Sequence, residues 1–445
     1  MSLPKAFIDG LHLVPGLTDR TGLIQSLDEE SPTSIRINHR KYAGGHVSME
    51  KVRWSKHGYY LSKRPSFTAD PLFHAGVYYV QEASSMVIGQ VVAQLIQSHY
   101  SKQSIRVLDL CGAPGGKSTD VVSQLRADDL MVSNEVVHSR AQVLKENVVK
   151  WGYSQHVVTQ NDPKDFVKLS GWFDIVIVDA PCSGEGMFRK DQEARSEWSP
   201  EHVNLCSARQ QRIVADIWDS VAAGGFLIYS TCTFNTAENE KILDFLIDEM
   251  SAELYALEEN IVAEKKVQRF FPHINKGEGF AYFVVRKNVV DSPTKTKRSK
   301  HAAVKFDSVK INRSGSFILK GDEVYFHSHP DEIALLEQSL DVIRPGLHVV
   351  TQKKNKSIPS AELAFNLDVK LEYPTISLDT EQSHAYLRCE TFDVPVSDRG
   401  FNTVNFCGYP LGFINHLGNR FNNNYPTYWR IRTQHPLIYN SFLEI

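Results

Sequence analysis

Two cysteines and one aspartate follow apolar stretches that are typical of buried strands. Asp179 and Cys182 come at the end of the stretch 173–179, and Cys232 ends the stretch 225–232. Because the carboxyl ends of neighbouring parallel strands meet at one edge of a sheet, we expect the two thiols and the carboxylate to lie close together. A lone cysteine is more often a small buried hydrophobic residue, but two at adjacent strand ends point to nucleophilic chemistry. Zinc binding is a weaker alternative, since no C-x-x-C or H-x-x-x-H pair accompanies them, and we expect no metal.

A glycine-rich turn follows the apolar stretch 105–110. It consists of Cys111, Gly112, Ala113, Pro114, Gly115, Gly116 and Lys117. The turn lacks the G-x-G-x-x-G spacing, and it lacks the phosphate-binding G-x-x-x-x-G-K-[ST] motif because Cys111 stands where the first glycine is needed. Its backbone amides suit a carboxylate or phosphate at a helix N-terminus. Glu135 suits a ribose diol and Asp162 an adenine amino group, whereas the alternative is a tight connection without a ligand.

Short apolar stretches alternate with helix-length segments through the middle of the chain. This alternation predicts an α/β fold with a doubly wound parallel sheet, whose ligand lies at the carboxyl ends of the strands. The expected strands are 105–110, 131–135, 156–159, 173–179 and 225–232, and the expected helices are 118–125 and 138–151.

The composition bounds the class of protein. The chain has 445 residues, of which 42% are hydrophobic and 23% charged, enough for two or three folded domains. Six irregularly spaced cysteines do not make a disulfide framework, which favours a reducing compartment. We expect a cytoplasmic protein, because we find neither a signal peptide nor an apolar run of the ~18 residues that a membrane span requires. The net charge of −3 excludes a uniformly basic nucleic-acid binder.

Local basic segments nevertheless indicate RNA contacts. The stretch 36–64, which includes Arg36 and Arg40, has eight Lys/Arg, one acid and four interleaved aromatic rings, a composition that suits single-stranded nucleic acid. Arg189 and Lys190 are further candidates for phosphate contacts. A solvated surface is the alternative in both places. The basic segment 295–305 is predicted to be a linker.

Four motifs place the chain in a family by resemblance. IRVLDLCGAPGGKS (105–118), NDP (161–163), IVIVDAPCSGEGMFRKD (175–191) and YSTCTFNTAENE (229–240) resemble, in order and spacing, the motifs of the Sun (Fmu) family of RNA cytosine-5 methyltransferases. The segments SIRIN (34–38), YYVQEASSM (78–86), GEGFAYFVVRK (277–287) and GYPLGFINHLGNRFNNNYP (408–426) resemble its bacterial RsmF branch, which modifies small-subunit ribosomal RNA.

The resemblance implies the reaction and the roles of its residues. S-adenosyl-L-methionine is the implied methyl donor, lying over the turn 111–117. The implied contacts are Glu135 with its ribose and Asp162 near its adenine, and Asp179 is also an implied cofactor-binding residue. Cys232 is the implied nucleophile at carbon 6 of cytosine, and Cys182 the implied residue for product release. Asp179 would hydrogen-bond the base, and Lys117 would assist it. The same chemistry on transfer RNA, or a silent RNA-binding assembly factor, are the alternatives.

Taken together, these patterns predict a Rossmann-like methyltransferase sheet with an RNA-binding domain on either side of it. The expected parts are an N-terminal RNA-binding α+β domain (1–103), a methyltransferase domain (104–290), the linker (291–305), a middle α+β domain (306–375) and a PUA-like β domain (376–445). We expect ribosomal RNA or a small ribosomal subunit as partner, and a monomeric protein.

Overall fold

The computed structural model of the chain describes residues 2–44, 47–257, 266–288, 303–304, 309–354, 356–394, 398–433, 438–439 and 441–443. The predicted linker 291–305 lies outside these residues except for 303–304. Among the described residues, none of the helices combines the length and apolar character needed to cross a membrane.

The N-terminal part carries a small antiparallel sheet beside short helices. Its strands β1 (Thr33–Ile37), β2 (Gly58–Leu61) and β3 (Tyr78–Val80) pair in the order β2-β1-β3. Its helices are α1 (Lys5–Gly10), α2 (Arg20–Ser26), α3 (Pro71–His74) and α4 (Val87–His99).

The central sheet has the doubly wound topology predicted from the sequence. Its parallel strands are β4 (Arg106–Asp109), β5 (Leu130–Asn134), β6 (His156–Thr159), β7 (Phe173–Asp179) and β8 (Val221–Thr231), in the spatial order β8-β7-β4-β5-β6. The helices between and after them are α5 (Gly116–Val122), α6 (His138–Trp151), α7 (Gln192–Glu197), α8 (Pro200–Trp218) and α9 (Glu240–Met250). The strands β9 (Ala252–Leu254) and β10 (Gln268–Phe270) both pair with β11 (Phe280–Lys287), which runs antiparallel to β8.

The five strands predicted from the sequence are all present, with small differences at their ends. The largest difference is in β8, which starts at Val221 instead of at residue 225. Val221 already pairs with Phe173 of β7, before the register shifts between the two strands. The sequence pattern misses the start of β8 because residues 221–224 join the strand through the pairing of Val221 with β7 and not by belonging to the apolar run.

The described residues of the C-terminal third contain three further sheets. β12 (Ala303–Val304), β14 (Ser316–Lys320), β15 (Glu323–His327), β17 (Leu347–Lys353) and β18 (Lys356–Pro359) form one sheet, and β13 (Lys310–Ile311) pairs with β19 (Val369–Lys370). β20 (Thr375–Leu378), β21 (Gly400–Phe406), β22 (Tyr409–His416) and β23 (Phe421–Asn423) form the last sheet. The helices of this third are α10 (Pro330–Ser339), α11 (Ala361–Phe365) and α12 (Thr380–Leu387).

Part of the C-terminal third joins the central sheet. A short strand, β16 (Val342–Arg344), pairs antiparallel with β6 at the sheet edge. The α10 residues Ile333 and Leu336 are buried in the same apolar core as the strands of the central sheet. This segment of the expected middle domain, 306–375, therefore packs on the sheet of the expected methyltransferase domain.

The two ends of the chain share an apolar core. Ile35 and Tyr78 of the N-terminal sheet belong to the same buried cluster as Tyr386 and Leu411 of the C-terminal part. The ring Nε2 of His384 also donates to the carbonyl oxygen of Ala69, at 2.8 Å. The N-terminal and C-terminal parts therefore stabilise each other directly.

Candidate active site

The two candidate thiols lie against each other at the carboxyl ends of β7 and β8. The Sγ atoms of Cys182 and Cys232 are 3.0 Å apart, and the backbone N–H of Cys232 donates to Cys182 Sγ at 3.3 Å. The prediction that the thiols lie close together is confirmed. The hydrogen bond with Cys232, together with burial, raises the pKa of Cys182 well above its ordinary value. Cys182 therefore keeps its proton, and its S–H can donate to the Sγ atom of Cys232.

A lysine–aspartate pair lies beside the thiols. Lys117 Nζ is 2.8 Å from Asp179 Oδ2, and the hydroxyl of Ser230 donates to Asp179 Oδ1 at 2.7 Å. Burial acts to lower the pKa of Lys117, but the negative charges of Asp179, Asp109 and Cys232 outweigh it and the pKa is raised. Lys117 therefore remains a cation at the edge that carries the two thiols.

The loop after β8 is held by a buried carboxylate that the sequence analysis did not single out. Glu238 is fully buried, and its Oε2 accepts from the backbone N–H of Ser183 at 2.9 Å and from Gln210 Nε2 at 2.7 Å. The Asn235 amide donates to Glu238 Oε1 at 2.8 Å and to Glu185 Oε1 at 3.0 Å. The signal available in the sequence was the mostly polar run 235–240, which begins three residues after Cys232.

A second buried carboxylate joins the loop after β7 to the loop after β8. Glu185 Oε2 accepts from the backbone N–H groups of Phe234, at 2.8 Å, and Asn235, at 3.0 Å. The backbone N–H of Gly186 donates to the carbonyl oxygen of Cys232 at 2.9 Å. The separation of the two thiols is therefore fixed by hydrogen bonds on both sides of them.

The glycine-rich turn connects β4 to α5 at the same sheet edge. The backbone N–H of Gly112 donates to the carbonyl oxygen of Asn134 at 2.8 Å, which fastens the turn to the end of β5. Gly115 has a φ of +116°, a conformation that L side chains rarely adopt. Cys111, at the start of the turn, has its pKa raised by burial, so it remains a protonated thiol.

The two acids expected near the cofactor lie at the ends of the next two strands. Glu135, after β5, is 3% exposed; its Oε1 accepts from the Val137 N–H at 3.0 Å and its Oε2 is 3.4 Å from Arg140 Nη2. Asp162, after β6, accepts from the Lys164 N–H at 3.2 Å and caps a short 3₁₀ helix. In the order β4-β5-β6, the turn, Glu135 and Asp162 therefore follow one another along the sheet edge.

A carboxylate beneath the turn fits a positively charged ligand group. Asp109, at the end of β4, is fully buried, and its Oδ2 accepts from the hydroxyl of Ser118 at 2.6 Å. Its Oδ1 has no hydrogen-bond partner among the described residues, and burial raises its pKa to about 7. The edge thus offers carboxylates that can attract the sulfonium charge of S-adenosyl-L-methionine and accept hydrogen bonds from its amino and ribose hydroxyl groups, so the residues fit that molecule.

Two of the four arginines and lysines expected to contact RNA are buried, which corrects that expectation. Arg36 is 2% exposed, and the side chain of Arg189 is 4% exposed with its Nε 3.0 Å from Glu278 Oε2. Both guanidinium groups are used inside the protein and do not face phosphates. Lys190 is exposed, and Arg40 is partly exposed beside an aspartate. Among the described residues, no group of three or more histidine, cysteine or acidic side chains is arranged to hold a metal ion.

The family comparisons match three successive parts of the chain. Residues 97–286 match the family described as 16S rRNA methyltransferase RsmB/F. Residues 3–83 match the N-terminal domain of 16S rRNA methyltransferase RsmF, and residues 373–431 match the PUA domain of methyltransferase RsmF.

Curated relatives named ribosomal RNA small subunit methyltransferase F agree with these matches. The chain is 30% identical to the protein from Pectobacterium atrosepticum, over 64% of this chain and 63% of that protein, which is less than two thirds of its length. It is 26% identical to the protein from Aliivibrio fischeri and 28% identical to one from a Shewanella species. These two alignments cover 95% of this chain and 97% and 96% of the relatives.

Solved structures share the fold of the central sheet. A methyltransferase homologue from Pyrococcus horikoshii is 24% identical with a TM-score of 0.54, covering 64% of this chain and 95% of that one. NSun6 from the same organism, solved with an S-adenosyl-L-methionine analogue, is 19% identical with a TM-score of 0.54, covering 65% of this chain and 99% of that one. At these identities the likeness shows a common fold.

Proposed function

Since the chain belongs to the RsmB/F family, with the RsmF order of N-terminal, methyltransferase and PUA domains, we propose that it methylates carbon 5 of a cytidine in 16S ribosomal RNA. S-adenosyl-L-methionine supplies the methyl group. The observation that carries the proposal is the pair of thiols, Cys182 and Cys232, 3.0 Å apart at the sheet edge that also carries the glycine turn.

Cys232 performs the first step. Its thiolate forms a bond to carbon 6 of the cytosine, and the electrons of the carbon 5–carbon 6 double bond move into the ring, so that ring nitrogen 3 takes up a proton. Asp179 holds that proton by a hydrogen bond, and Lys117, 2.8 Å from Asp179, limits the charge at this edge. Carbon 5 is then an enamine-like nucleophile able to accept the methyl group.

Cys182 performs the release. Its pKa is raised in the resting protein by the hydrogen bond with Cys232, by burial and by the charge of Cys232. Once Cys232 is bonded to carbon 6, both that hydrogen bond and that charge are gone and, of these three causes, only burial still raises the pKa of Cys182, which then gives its proton to water. The Cys182 thiolate then takes the carbon 5 proton, the carbon 5–carbon 6 double bond re-forms, the sulfur–carbon 6 bond breaks, and nitrogen 3 returns its proton to solvent.

Binding of the cofactor is assigned to the edge that runs from the turn to the third strand. The turn 111–117 receives the methionine part, Glu135 accepts from the ribose hydroxyls, and Asp162 accepts from the adenine amino group. Asp179 would complete the set of residues that hold the cofactor at this edge. RNA contacts are assigned to Lys190, to Arg40 and to the exposed cations of the segment 51–64.

The proposal also covers the domain limits, the cellular compartment and the oligomeric state. The proposed domains have the limits expected from the sequence, except that residues 330–344 pack on or pair with the sheet of the methyltransferase domain. We place the protein in the cytoplasm, because its six cysteines are free and both catalytic thiols must stay reduced. A monomer suffices, because one chain carries both thiols and the cofactor edge; sedimentation of the purified chain tests this.

Bisulfite mapping tests the function directly. Cells with and without the gene should differ at one or a few cytidines of 16S ribosomal RNA, and the purified protein should restore methylation there with S-adenosyl-L-methionine. The control is the Cys232→Ala protein, which should restore none. A difference confined to transfer RNA would overturn the assignment of the substrate while leaving the reaction intact.

A further inference from the structure

We propose that Arg36, in the N-terminal sheet, positions the glycine turn and thereby sets the affinity for S-adenosyl-L-methionine. The inference rests on the proposed function. It concerns a residue outside the methyltransferase sheet that touches the turn and not the RNA.

The Arg36 guanidinium contacts the turn and the first turns of α5. Its Nη2 donates to the carbonyl oxygen of Gly116 at 3.2 Å and to the hydroxyl of Thr119 at 2.7 Å. Its Nε is 3.7 Å from Asp120 Oδ1. Thr119 in turn donates to the carbonyl oxygen of Gly115 at 2.6 Å. One guanidinium therefore fixes two successive carbonyls of the turn, one directly and one through a hydroxyl.

The N-terminal sheet supports Arg36 and covers the turn. Gln81 Oε1, next to β3, accepts from Arg36 Nε at 2.8 Å, and the guanidinium carbon lies 4.4 Å from the centre of the Trp151 ring. A Cβ added at Gly116 would lie 3.4 Å from the Tyr79 ring and 3.6 Å from the Gln81 side chain. The N-terminal part therefore packs directly on the segment that is to hold the cofactor.

The charge of Arg36 makes this arrangement sensitive to substitution. Burial lowers the pKa of Arg36, while the Asp120 carboxylate opposes that effect. Asp120 is itself buried, and its Oδ2 lacks a hydrogen-bond partner among the described residues. A lysine keeps the charge but cannot make the forked contacts of a guanidinium, so it should release the turn without removing the cation.

The turn also carries a residue of the catalytic edge. Lys117 follows Gly116 directly and pairs with Asp179 at 2.8 Å. Movement of the Gly116 carbonyl should therefore displace Lys117 as well. Cofactor affinity should fall, since the turn is the segment proposed to hold the cofactor, whereas RNA affinity should be unchanged because Arg36 is 2% exposed.

Calorimetry with S-adenosyl-L-methionine on the full-length protein tests the inference. Arg36→Lys should raise the Kd about tenfold, as expected for the removal of a hydrogen bond to a charged group, and should leave the RNA Kd unchanged. Arg344→Lys is the matched control. Arg344 is also 2% exposed and pairs with a carboxylate, Glu362, at 3.1 Å, but at the far edge of the sheet. An equal cofactor Kd in wild type and Arg36→Lys overturns the inference.

A second pair of variants decides the matter if Arg36→Lys does not fold. Thr119→Val removes the hydroxyl between Arg36 and Gly115 with little change of volume, and it should raise the cofactor Kd. Thr119→Ser keeps the hydroxyl, and its cofactor Kd should equal that of the wild type. Equal cofactor Kd values for Thr119→Val and Thr119→Ser overturn the inference. A wild-type protein that binds no S-adenosyl-L-methionine would instead overturn the proposed function.

Discussion

At the scale of single residues, the two thiols differ in environment although they touch. Cys182 accepts a hydrogen bond from the backbone N–H of Cys232 and has a raised pKa, whereas Cys232 is near enough to Lys117 for its charge to raise the pKa of that lysine. We expect this difference in surroundings to divide attack and release between two residues of the same type. Their roles can be separated by removing one thiol at a time.

Replacing either cysteine with alanine should give opposite results on a denaturing gel. Cys232→Ala should abolish methylation, because carbon 5 is not activated without the bond to carbon 6, while calorimetry should show intact cofactor binding. Cys182→Ala should form the methylated adduct but fail to release it, giving a slow protein–RNA band that ribonuclease removes. A slow band with Cys232→Ala and none with Cys182→Ala would mean that the roles are exchanged.

The two carboxylates at the ends of β5 and β6 should contribute to cofactor binding. Glu135→Ala and Asp162→Ala should each weaken it by about 1.5 to 3 kcal/mol, the range for a hydrogen bond to a charged group. Calorimetry measures the effect, and an RNA titration provides the control, since neither residue is assigned to RNA. Unchanged cofactor affinity in both variants would remove these residues from the site.

At the scale of elements, short helices join parts of the chain that are distant in sequence. Helix α3 contributes Leu72 to the core that the N-terminal and C-terminal parts share. Its last residue, His74, is 5% exposed, and the ring Nε2 donates to the carbonyl oxygen of Thr68 at 3.0 Å. Burial, and then the charge of Lys150, lowers the pKa of His74 to about 3. The folded protein therefore holds this imidazole neutral.

Neutral His74 should make the fold sensitive to mild acid. The unfolded chain takes up a proton below a pH of about 6.5, whereas the folded protein does so only near 3, so the stability that His74 confers is present above 6.5 and is lost between these values. Between pH 7.5 and 5.0, His74→Gln should lose roughly 2 kcal/mol less free energy of unfolding than the wild type. Urea unfolding at both pH values measures this, with exposed His12→Gln as the control. Parallel losses in wild type and His74→Gln would contradict the prediction.

At the scale of the whole molecule, the central sheet lies between parts that are docked on it and on each other. The N-terminal sheet packs on the glycine turn, and the last sheet shares its core with the N-terminal sheet. Deleting the C-terminal part would therefore expose an apolar core. Exposed charges are the better way to ask whether that part binds RNA.

Charge reversal in the C-terminal part should lower RNA affinity by repelling phosphates. Arg430→Glu combined with Arg432→Glu alters two exposed residues beside the buried ring of Trp429. The slope of log affinity against log salt should fall by about 0.7 for each phosphate of single-stranded RNA that the protein no longer neutralises. Lys102→Glu, exposed at the amino end of β4, is the control. An unchanged slope with an unchanged melting temperature would assign RNA recognition to other surfaces.

The sequence alone determined the central sheet, its edge and the chemistry at that edge. Each apolar run forms a strand because its own residues favour burial, and the chain order of Cys182 and Cys232 after two such runs places the thiols together. The turn follows similarly from its local glycines. These features depend on residues close in sequence, which is why the sequence pattern predicts them.

Only the tertiary structure decided which polar side chains are buried. Arg36 and Arg189 resemble RNA contacts in the sequence, yet Gly116, Thr119 and Glu278, at least 80 residues away in the chain, enclose them. Burial is a property of contacts between distant segments, and a guanidinium serves a buried network as well as it serves a phosphate. The pairing of β16 with β6 likewise depends on a contact between distant segments, which are more than 180 residues apart in the chain.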